Sequence, residues 1–381
     1  MKRSRHPKHR HPKRRRLRIR LLLRHAVLVL VLLGAGAVMF IAMGMAPIAA
    51  DAGHWAATRV LLHSAMSRAV EVRAMKLSAP ALDDPALLQK GAGHYATACM
   101  DCHGAPGVPR RHAVRQMLPT PPFLPEKLGR MTPEELFWVV NHGIKYTAMP
   151  AWGTRDRDDE VWAMVAFLEQ IQGMSPRRFR ELAYGPDGND DSVLGDCARC
   201  HGRDGAGRGT HAFPKLAGLD EAYLLASLEA FASGERRSGI MQPVAADLKP
   251  ADLRAMAAHY AKQRATQPAP VAAAAESIAR GERLARAGDG LKRIPACAAC
   301  HGPGTRARNR MYPQLAGQYA GYIELQLRLF RAGGRGGTEY APIMERAAAE
   351  LSERDIADVA AYYASLPAAG MVAAGEPAPG M

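Results

Sequence analysis

The stretches "CMDCHG" (99–104), "CARCHG" (197–202) and "CAACHG" (297–302) use all six cysteines of this 381-residue chain. In this composition a cysteine is followed by Cys three residues on and His four on with odds of roughly six in ten thousand, so three accidents are excluded. The motifs recur at intervals of about one hundred residues and divide the chain into three similar modules. On one helical turn the positions i, i+3 and i+4 share a face. Each motif therefore offers two thiols and one imidazole to a single object.

That grouping is the attachment sequence of c-type haem, in which two thioethers hold one porphyrin and the imidazole reaches its iron. Zinc would need further Cys or His at paired spacing in each module, and the cysteines are exhausted at two apiece. A thioredoxin-like dithiol needs a βαβ context that is missing, and a disulfide framework leaves His103, His201 and His301 without a purpose. Three covalently bound haem groups are expected, on Cys99 and Cys102, Cys197 and Cys200, and Cys297 and Cys300, with the three histidines as iron ligands. A module of this size buries little apolar surface alone, and a large apolar cofactor helps to fill its core.

The formal charge of +15 suggests a nucleic-acid binder until it is located. Residues 1–25 hold twelve Lys and Arg and no acid, which leaves 39 basic against 36 acidic residues in the rest. The body is nearly neutral, and no nucleic acid is expected as a partner. Ala26 to Ala50 carries no charged residue and is long enough to span a bilayer with tilt. The basic segment 1–25 in front of this transmembrane helix places the N-terminus in the cytoplasm by the positive-inside rule, and the body outside. A cleaved signal peptide is the alternative, with Ala50 and Ala52 as a small-residue site, although its apolar region should be about half this length. Covalent haem attachment in bacteria takes place outside the inner membrane, so motif and topology agree on a periplasmic body.

Residues 51–83 hold an amphipathic helix, "HWAATRVLLHSAMSRAVEVRAMKL" (54–77), and the linker "SAPALDDP" (78–85). This helix continues the span, lies on the outer membrane face with Trp55 at the interface, or packs on the first module. Module one covers 84–172, with a helix in "MTPEELFWVVNHG" that starts at the N-cap Thr132 and stops at Gly143, and a closing helix in "DDEVWAMVAFLEQI" (158–171). Module two covers 186–263 and module three 275–368, joined by "RATQPAPVAAAA". "FPKLAG" (213–218) answers "YPQLAG" (312–317), and "LKPADLRAMAAHYA" answers "LSERDIADVAAYYA", so these two modules read as an internal duplication. The tail 369–381 is Ala/Gly/Pro-rich and reads as disordered. No window alternates with period two, so the fold is mainly α.

A thioether opposite histidine raises the reduction potential and suits an electron carrier. Position selects one methionine per module. Met149 in "GIKYTAMPAW", Met241 in the loop "SGIMQPVAADL" and Met344 in "YAPIMERAAAEL" are the expected sixth ligands. Met131, Met164 and Met256 belong to helices, and Met311 lies too close to His301 to cross a porphyrin.

From Leu82 to Leu366 these residues resemble the class I cytochromes c. "GAGHYATACMDCHG" looks like the family's N-terminal helix running into its haem motif, with Gly91 and Tyr95 as the small and aromatic pair that meets the closing helix. "VWAMVAFL" is similar to that closing helix, and the resemblance implies that Trp162 and Phe167 pack near Gly91. Modules two and three together resemble the tandem diheme cytochromes of the c-four type. This implies that the carbonyls of Pro214 and Pro313 accept a hydrogen bond from the ligand imidazoles, a role that falls to Pro121 or Pro122 in module one. Module two departs from the pattern: "GPDGNDDSVLGD" before Cys197 is too short and polar for the usual first helix, which implies a truncated helix and a haem that is exposed or leaned on by a neighbour.

The resemblance implies electron transfer, and three six-coordinate irons leave no place for a substrate. The expected role is a membrane-anchored relay of single electrons in a respiratory chain. Its redox partners would be a quinol-oxidising complex or a dehydrogenase on one side, and a terminal oxidase or soluble cytochrome on the other. A cytochrome subunit of a membrane alcohol or sugar dehydrogenase shares the three-module layout, though commonly anchored at the other end of the chain. A peroxidase-like haem enzyme would need an open iron, for which module two without Met241 is the place.

Overall fold

The structure, a computed structural model of the chain, describes residues 12–46, 48–186, 192–264, 273–302 and 309–368. Among these every regular element is helical, with two isolated β-bridges in loops. The tip of the basic segment, most of the linker between modules two and three and the expected disordered tail lie outside the described residues. The polypeptide forms two units, Met1–Trp55 and Ala56–Met381.

The first unit is one helix, α1 (Pro12–Ala42). Its portion Arg16–Ala42 has the length and composition to cross a membrane, about 40 Å at 1.5 Å per residue. The helix begins well before the expected span of 26–50 and stops short of its end. Arg16 to Arg24 continue the same helix because arginine is a good helix former, and the helix ends at Ala42, with Gly44 at φ +68° two residues on.

In the second unit, α2 (Ala56–Ala74) precedes module one, which contains α3 (Pro85–His94), a π-helical turn (Tyr95–Cys99), α4 (Met100–His103), α5 (His112–Arg115), α6 (Pro133–His142), α7 (Asp158–Ile171) and α8 (Pro176–Tyr184). Local chemistry sets the helix ends. Asp84 caps α3 by accepting from the Ala86 amide at 2.8 Å. Thr132 and Glu135 form a reciprocal capping box at the start of α6, and Gly143 at φ +65° stops it. The C-terminal part of α2 buries Val70 and Ala74 against module one, where Arg73 lies 5.6 Å from the centre of the Trp138 ring. Its N-terminal half leaves Val60 and Leu61 exposed.

Helices α3 and α7 cross at Gly91, where a Cβ would collide with the Ala163 carbonyl and lie 2.7 Å from Phe167 Cβ. Phe167 therefore packs at Gly91, beside Tyr95 at a ring separation of 5.0 Å. Trp162 does not. Five residues at about 100° each put it roughly 140° around the helix from Phe167, and it stacks on Phe137 of α6 at 4.3 Å.

Helix α8 was not anticipated by the sequence reading, which ended module one at Gln172. Ser175 caps it, Pro176 opens it, and Phe179, Leu182 and Ala183 enter the same core as Tyr95 and Phe167. The signal was present in "SPRRFRELAY" as an N-cap, a first-turn proline and an i, i+3, i+4 apolar triplet.

Module two contains α9 (Val193–His201), α10 (Glu221–Ser233), α11 (Met241–Ala246) and α12 (Pro250–Ala261). Module three contains α13 (Ala275–Ala287), α14 (Ala298–His301), α15 (Ala320–Arg331), α16 (Ala341–Ala348) and α17 (Glu353–Ser365). The crossing of α3 and α7 recurs between α13 and α17, where a Cβ on Gly281 would collide with the Asp358 carbonyl. Among the described residues module two has no such crossing, and its first helix there, α9, is nine residues long. Module one leans on it instead, since a Cβ on Gly93 of α3 would stand 3.2 Å from Phe213 and 3.6 Å from the Cys200 sulfur. Module three also carries a loop between α13 and its motif, closed by the Asp289–Ile294 bridge.

Modules two and three meet through like residues. Arg236 lies over Phe231 and donates to the Tyr322 hydroxyl at 3.3 Å, while Arg335 lies over Phe330 and donates to the Tyr223 hydroxyl at 3.1 Å. The reciprocity fits the duplication.

Within module three, Asp358 of α17 accepts from Ser277 and from both Arg280 nitrogens of α13, at 2.6 and 2.8 Å for the arginine. The Arg280 hydrogen bond holds its pKa below the ordinary carboxylate range. A depressed folded pKa contributes stability that is present above the unfolded value and is lost as pH falls through the folded one. Acid titration of unfolding should therefore show module three weakening below about pH 4, and Asp358→Asn should flatten that acid limb. Gly91→Ala should cost about 1–3 kcal/mol of overpacking, measured by chemical denaturation.

Candidate haem-attachment sites

Each motif closes a helix in the same way. His103, His201 and His301 are the last residues of α4, α9 and α14, and each is followed by a glycine at φ +67°, +76° or +72° whose amide returns to the carbonyl of Met100, Ala198 or Ala298. The helix cannot continue, so the imidazole sits at its end. In module one the Tyr95 hydroxyl donates to the Gly104 carbonyl at 2.6 Å and ties the first helix to this turn.

The three imidazoles share one partner type. His103 Nδ1 lies 3.0 Å from the Pro122 carbonyl, His201 Nδ1 3.2 Å from that of Pro214, and His301 Nδ1 2.8 Å from that of Pro313. With the proton on Nδ1 donated to a carbonyl, Nε2 is left as a bare lone pair. The choice between Pro121 and Pro122 resolves to Pro122, because the Pro121 carbonyl accepts from Arg110 instead. Burial pushes all three imidazoles below their ordinary pKa against the raising effect of the proline carbonyls, which favours the neutral form a metal requires.

None of the six cysteines is paired in a disulfide, and each is half-buried. Burial pushes Cys99 up to about 12 and Cys197, Cys200 and Cys297 up to about 11. Among the described residues no three Cys, His, Asp or Glu side chains converge as zinc would need. Apolar side chains surround the thiols: Cys99 packs against the core of Leu88, Tyr95 and Phe167, and Cys197 against that of Leu224 and Tyr260. In module three Leu284 and Leu327 touch both the cluster that holds Cys297 and the cluster that holds Met344, so one apolar wall runs from thiol to thioether.

The methionines differ in setting. Met149 lies in the segment between α6 and α7, folded back by the Ile144 amide on its carbonyl at 3.2 Å and by its own amide on Thr147 at 3.1 Å. Met241, expected in a loop, is the first residue of the short helix α11, because the Ser238 hydroxyl accepts from its amide and begins a turn there. Met344 lies within α16. Met164, set aside as core, is buried.

These donor sets fit c-type haem. The proline-held imidazoles fit an iron ligand, and one further feature fits the carboxylates that the group carries. Arg236 and Arg335 meet at the joint of modules two and three without a carboxylate at ion-pair distance among the described residues. Burial opposes ionisation of Tyr223 between the two arginines, yet they pull its pKa down to about 8.

Residues 192–263 and 278–367 match the family model described as Cytochrome c, and residues 86–168 match that of cytochrome c oxidase, cbb3-type, subunit III. The chain belongs to the class I cytochromes c. Its second and third modules are of the diheme c4 type. It is 39% identical over 172 residues to the thiosulfate dehydrogenase electron acceptor of Thiomonas intermedia (strain K12), covering 45% of this chain and 78% of that protein. It is 37% identical over 171 residues to cytochrome c4 of Pseudomonas aeruginosa, covering 45% of this chain and 83% of that protein. Reduced recombinant cytochrome c4 from Pseudomonas stutzeri aligns with 32% identity and a TM-score of 0.42 over 47% of this chain and 99% of its own. This cytochrome is an electron carrier with covalently bound haem c, and its partners are redox proteins. With Met149 read as the sixth ligand, Met149→His should leave covalent attachment intact and lower one step of a redox titration, since imidazole would replace the thioether.

Proposed function

We propose that this cytochrome is a membrane-anchored triheme relay that carries single electrons outside the cytoplasm. The observation that carries this reading is the threefold recurrence of the proline-held motif within one folded unit that follows an apolar helix. Haem, when bound, supplies a one-electron couple at each site. The chain's own residues do the rest. His103, His201 and His301 would hold the group through Nε2, Met149, Met241 and Met344 would supply thioether ligands, and the cysteines would fix it so that it cannot leave on reduction. With a histidine and a methionine both holding each iron, a substrate would have nowhere to bind. The apolar walls around the thiols keep water from the sites, which limits the reorganisation that accompanies a change of charge.

The basic start of α1 supports a body in the periplasm, with α1 as tether to the inner membrane. For the donor we favour a dehydrogenase, because similarity to proteins named as thiosulfate dehydrogenase electron acceptors supports it. For the acceptor we favour a terminal oxidase, because module one matches a model named for an oxidase subunit. Electrons then enter at the c4-like half and leave by module one, and the tether raises the effective concentration of membrane partners.

Oxidised wild-type protein should take up three electrons per chain, and the reduced form should show little spectral change under carbon monoxide. Rapid stoichiometric carbon monoxide binding would favour a haem enzyme with an open iron. Replacing residues 1–50 by a cleavable secretion signal should release the protein from the membrane fraction with its spectrum unchanged.

A further inference from the structure

The three methionine-bearing segments are braced differently. That of module one takes its hydrogen bonds from its own loop, through Thr147 and Ile144. In that of module three the Tyr340 hydroxyl accepts from Asn309 Nδ2 at 3.0 Å and its ring meets Tyr312 at 5.1 Å, while Arg237 of module two donates to the Gly333 carbonyl at 3.1 Å, at the far end of the same connection. The segment of module two is short, and it is clamped from outside. The Ser238 hydroxyl accepts from the amides of Ile240 at 3.2 Å and Met241 at 2.9 Å, and donates to Glu160 Oε1 of α7 in module one at 2.6 Å. Glu160 Oε2 also accepts from the Gly239 amide at 2.7 Å and from the Trp152 indole at 3.2 Å. Arg157 Nη1 completes the set, 2.9 Å from Oε1 and 2.9 Å from the Arg237 carbonyl.

Four donors therefore converge on the two oxygens of one carboxylate, which is its full capacity. Ser238 and Glu160 are each 2% exposed, so water does not compete for these bonds. Gly239 is required by the same contact: a Cβ there would collide with the Trp152 indole. Trp152 in turn stands edge-on to His94 at 4.7 Å, and it follows Met149 by three residues. The methionine segments of modules one and two are thus packed back to back through Trp152 and Gly239.

We infer that Glu160, a residue of module one, is the positioning residue for the Met241 turn of module two, so that the sixth ligand of the second site is set across a module boundary. This rests on the reading of Met241 as that ligand. Module two lacks the helix crossing that stiffens the other two modules, and the Glu160 clamp supplies rigidity from a neighbour.

The test uses the full-length matured protein and reads carbon monoxide binding to the reduced form. Ser238→Ala removes the acceptor for two buried amides together with one donor to Glu160. The expected result is a roughly tenfold larger carbon monoxide-reactive fraction at one haem per chain, in line with the loss of one or two buried hydrogen bonds. Glu160→Gln should affect the same haem, and Ser238→Thr, which keeps the hydroxyl, should behave as wild type. Met241→Ala separates the two readings. If it opens one iron while Ser238→Ala and Glu160→Gln remain closed, the positioning role is overturned and the ligand stands. If Met241→Ala opens none, the ligand assignment fails and the inference falls with it. Should Glu160→Gln fail to mature, Ser238→Ala against Ser238→Thr decides by itself, because a merely structural loss would not be confined to one haem.

Discussion

The hydrogen bond from each motif imidazole to a proline carbonyl is the constraint around which the three modules are built. It fixes the proton on Nδ1, and so it fixes which nitrogen faces the iron. A proline serves well as the acceptor because its restricted φ holds the carbonyl in one place and it brings no amide to satisfy. The rest of each module maintains that geometry. A glycine in the left-handed region ends the motif helix at the histidine, and apolar side chains close over the cysteines. In modules one and three a first helix crosses a later one, α7 or α17, at a glycine and locks it behind the motif.

Module two breaks that plan, and its neighbours compensate. Gly93 of α3 lies against Phe213 and Cys200 where a longer first helix is absent. Arg208, just after the second motif, donates to the Leu182 carbonyl at 2.7 Å and so caps the end of α8. Glu160 gathers Ser238, Gly239, Trp152 and Arg157. On the far side, Lys215 and Gln318 exchange hydrogen bonds at 3.0 and 2.9 Å with module three. A buried carboxylate is costly unless its hydrogen bonds are complete, and completing this one takes donors from two modules. The same interactions that stabilise the weakest module therefore also hold the modules in fixed relation, which a relay over short distances needs.

Much of this was legible in the order of residues. The motifs named the thiols and imidazoles, and the Thr132–Gly143 and Asp158–Ile171 helices could be read from cap, proline, acidic first turn and terminator. Where reading failed, the missing information was spatial. Trp162 was assigned to the Gly91 crossing with Phe167, but only the packing of α7 against α6 on one face and α3 on the other separates them. Helix α8 carries a local signature, yet its importance comes from Phe179 entering a core formed about eighty residues earlier in the chain. The carbonyl acceptor in module one could not be chosen between adjacent prolines until Arg110 was seen to occupy one of them.

The sequence by itself determined the chemistry: three haem-binding turns, an apolar segment long enough for a membrane, and a helical fold, because each depends on residues a few positions apart on one helix. Only the tertiary structure decided how the sites support one another. The acceptors at Pro122, Pro214 and Pro313, the pairing of Arg236 and Arg335 with each other's tyrosines, and the bond from Glu160 to Ser238 join residues that no local period relates. Whether two such groups meet is set by burial and by the crossing of helices.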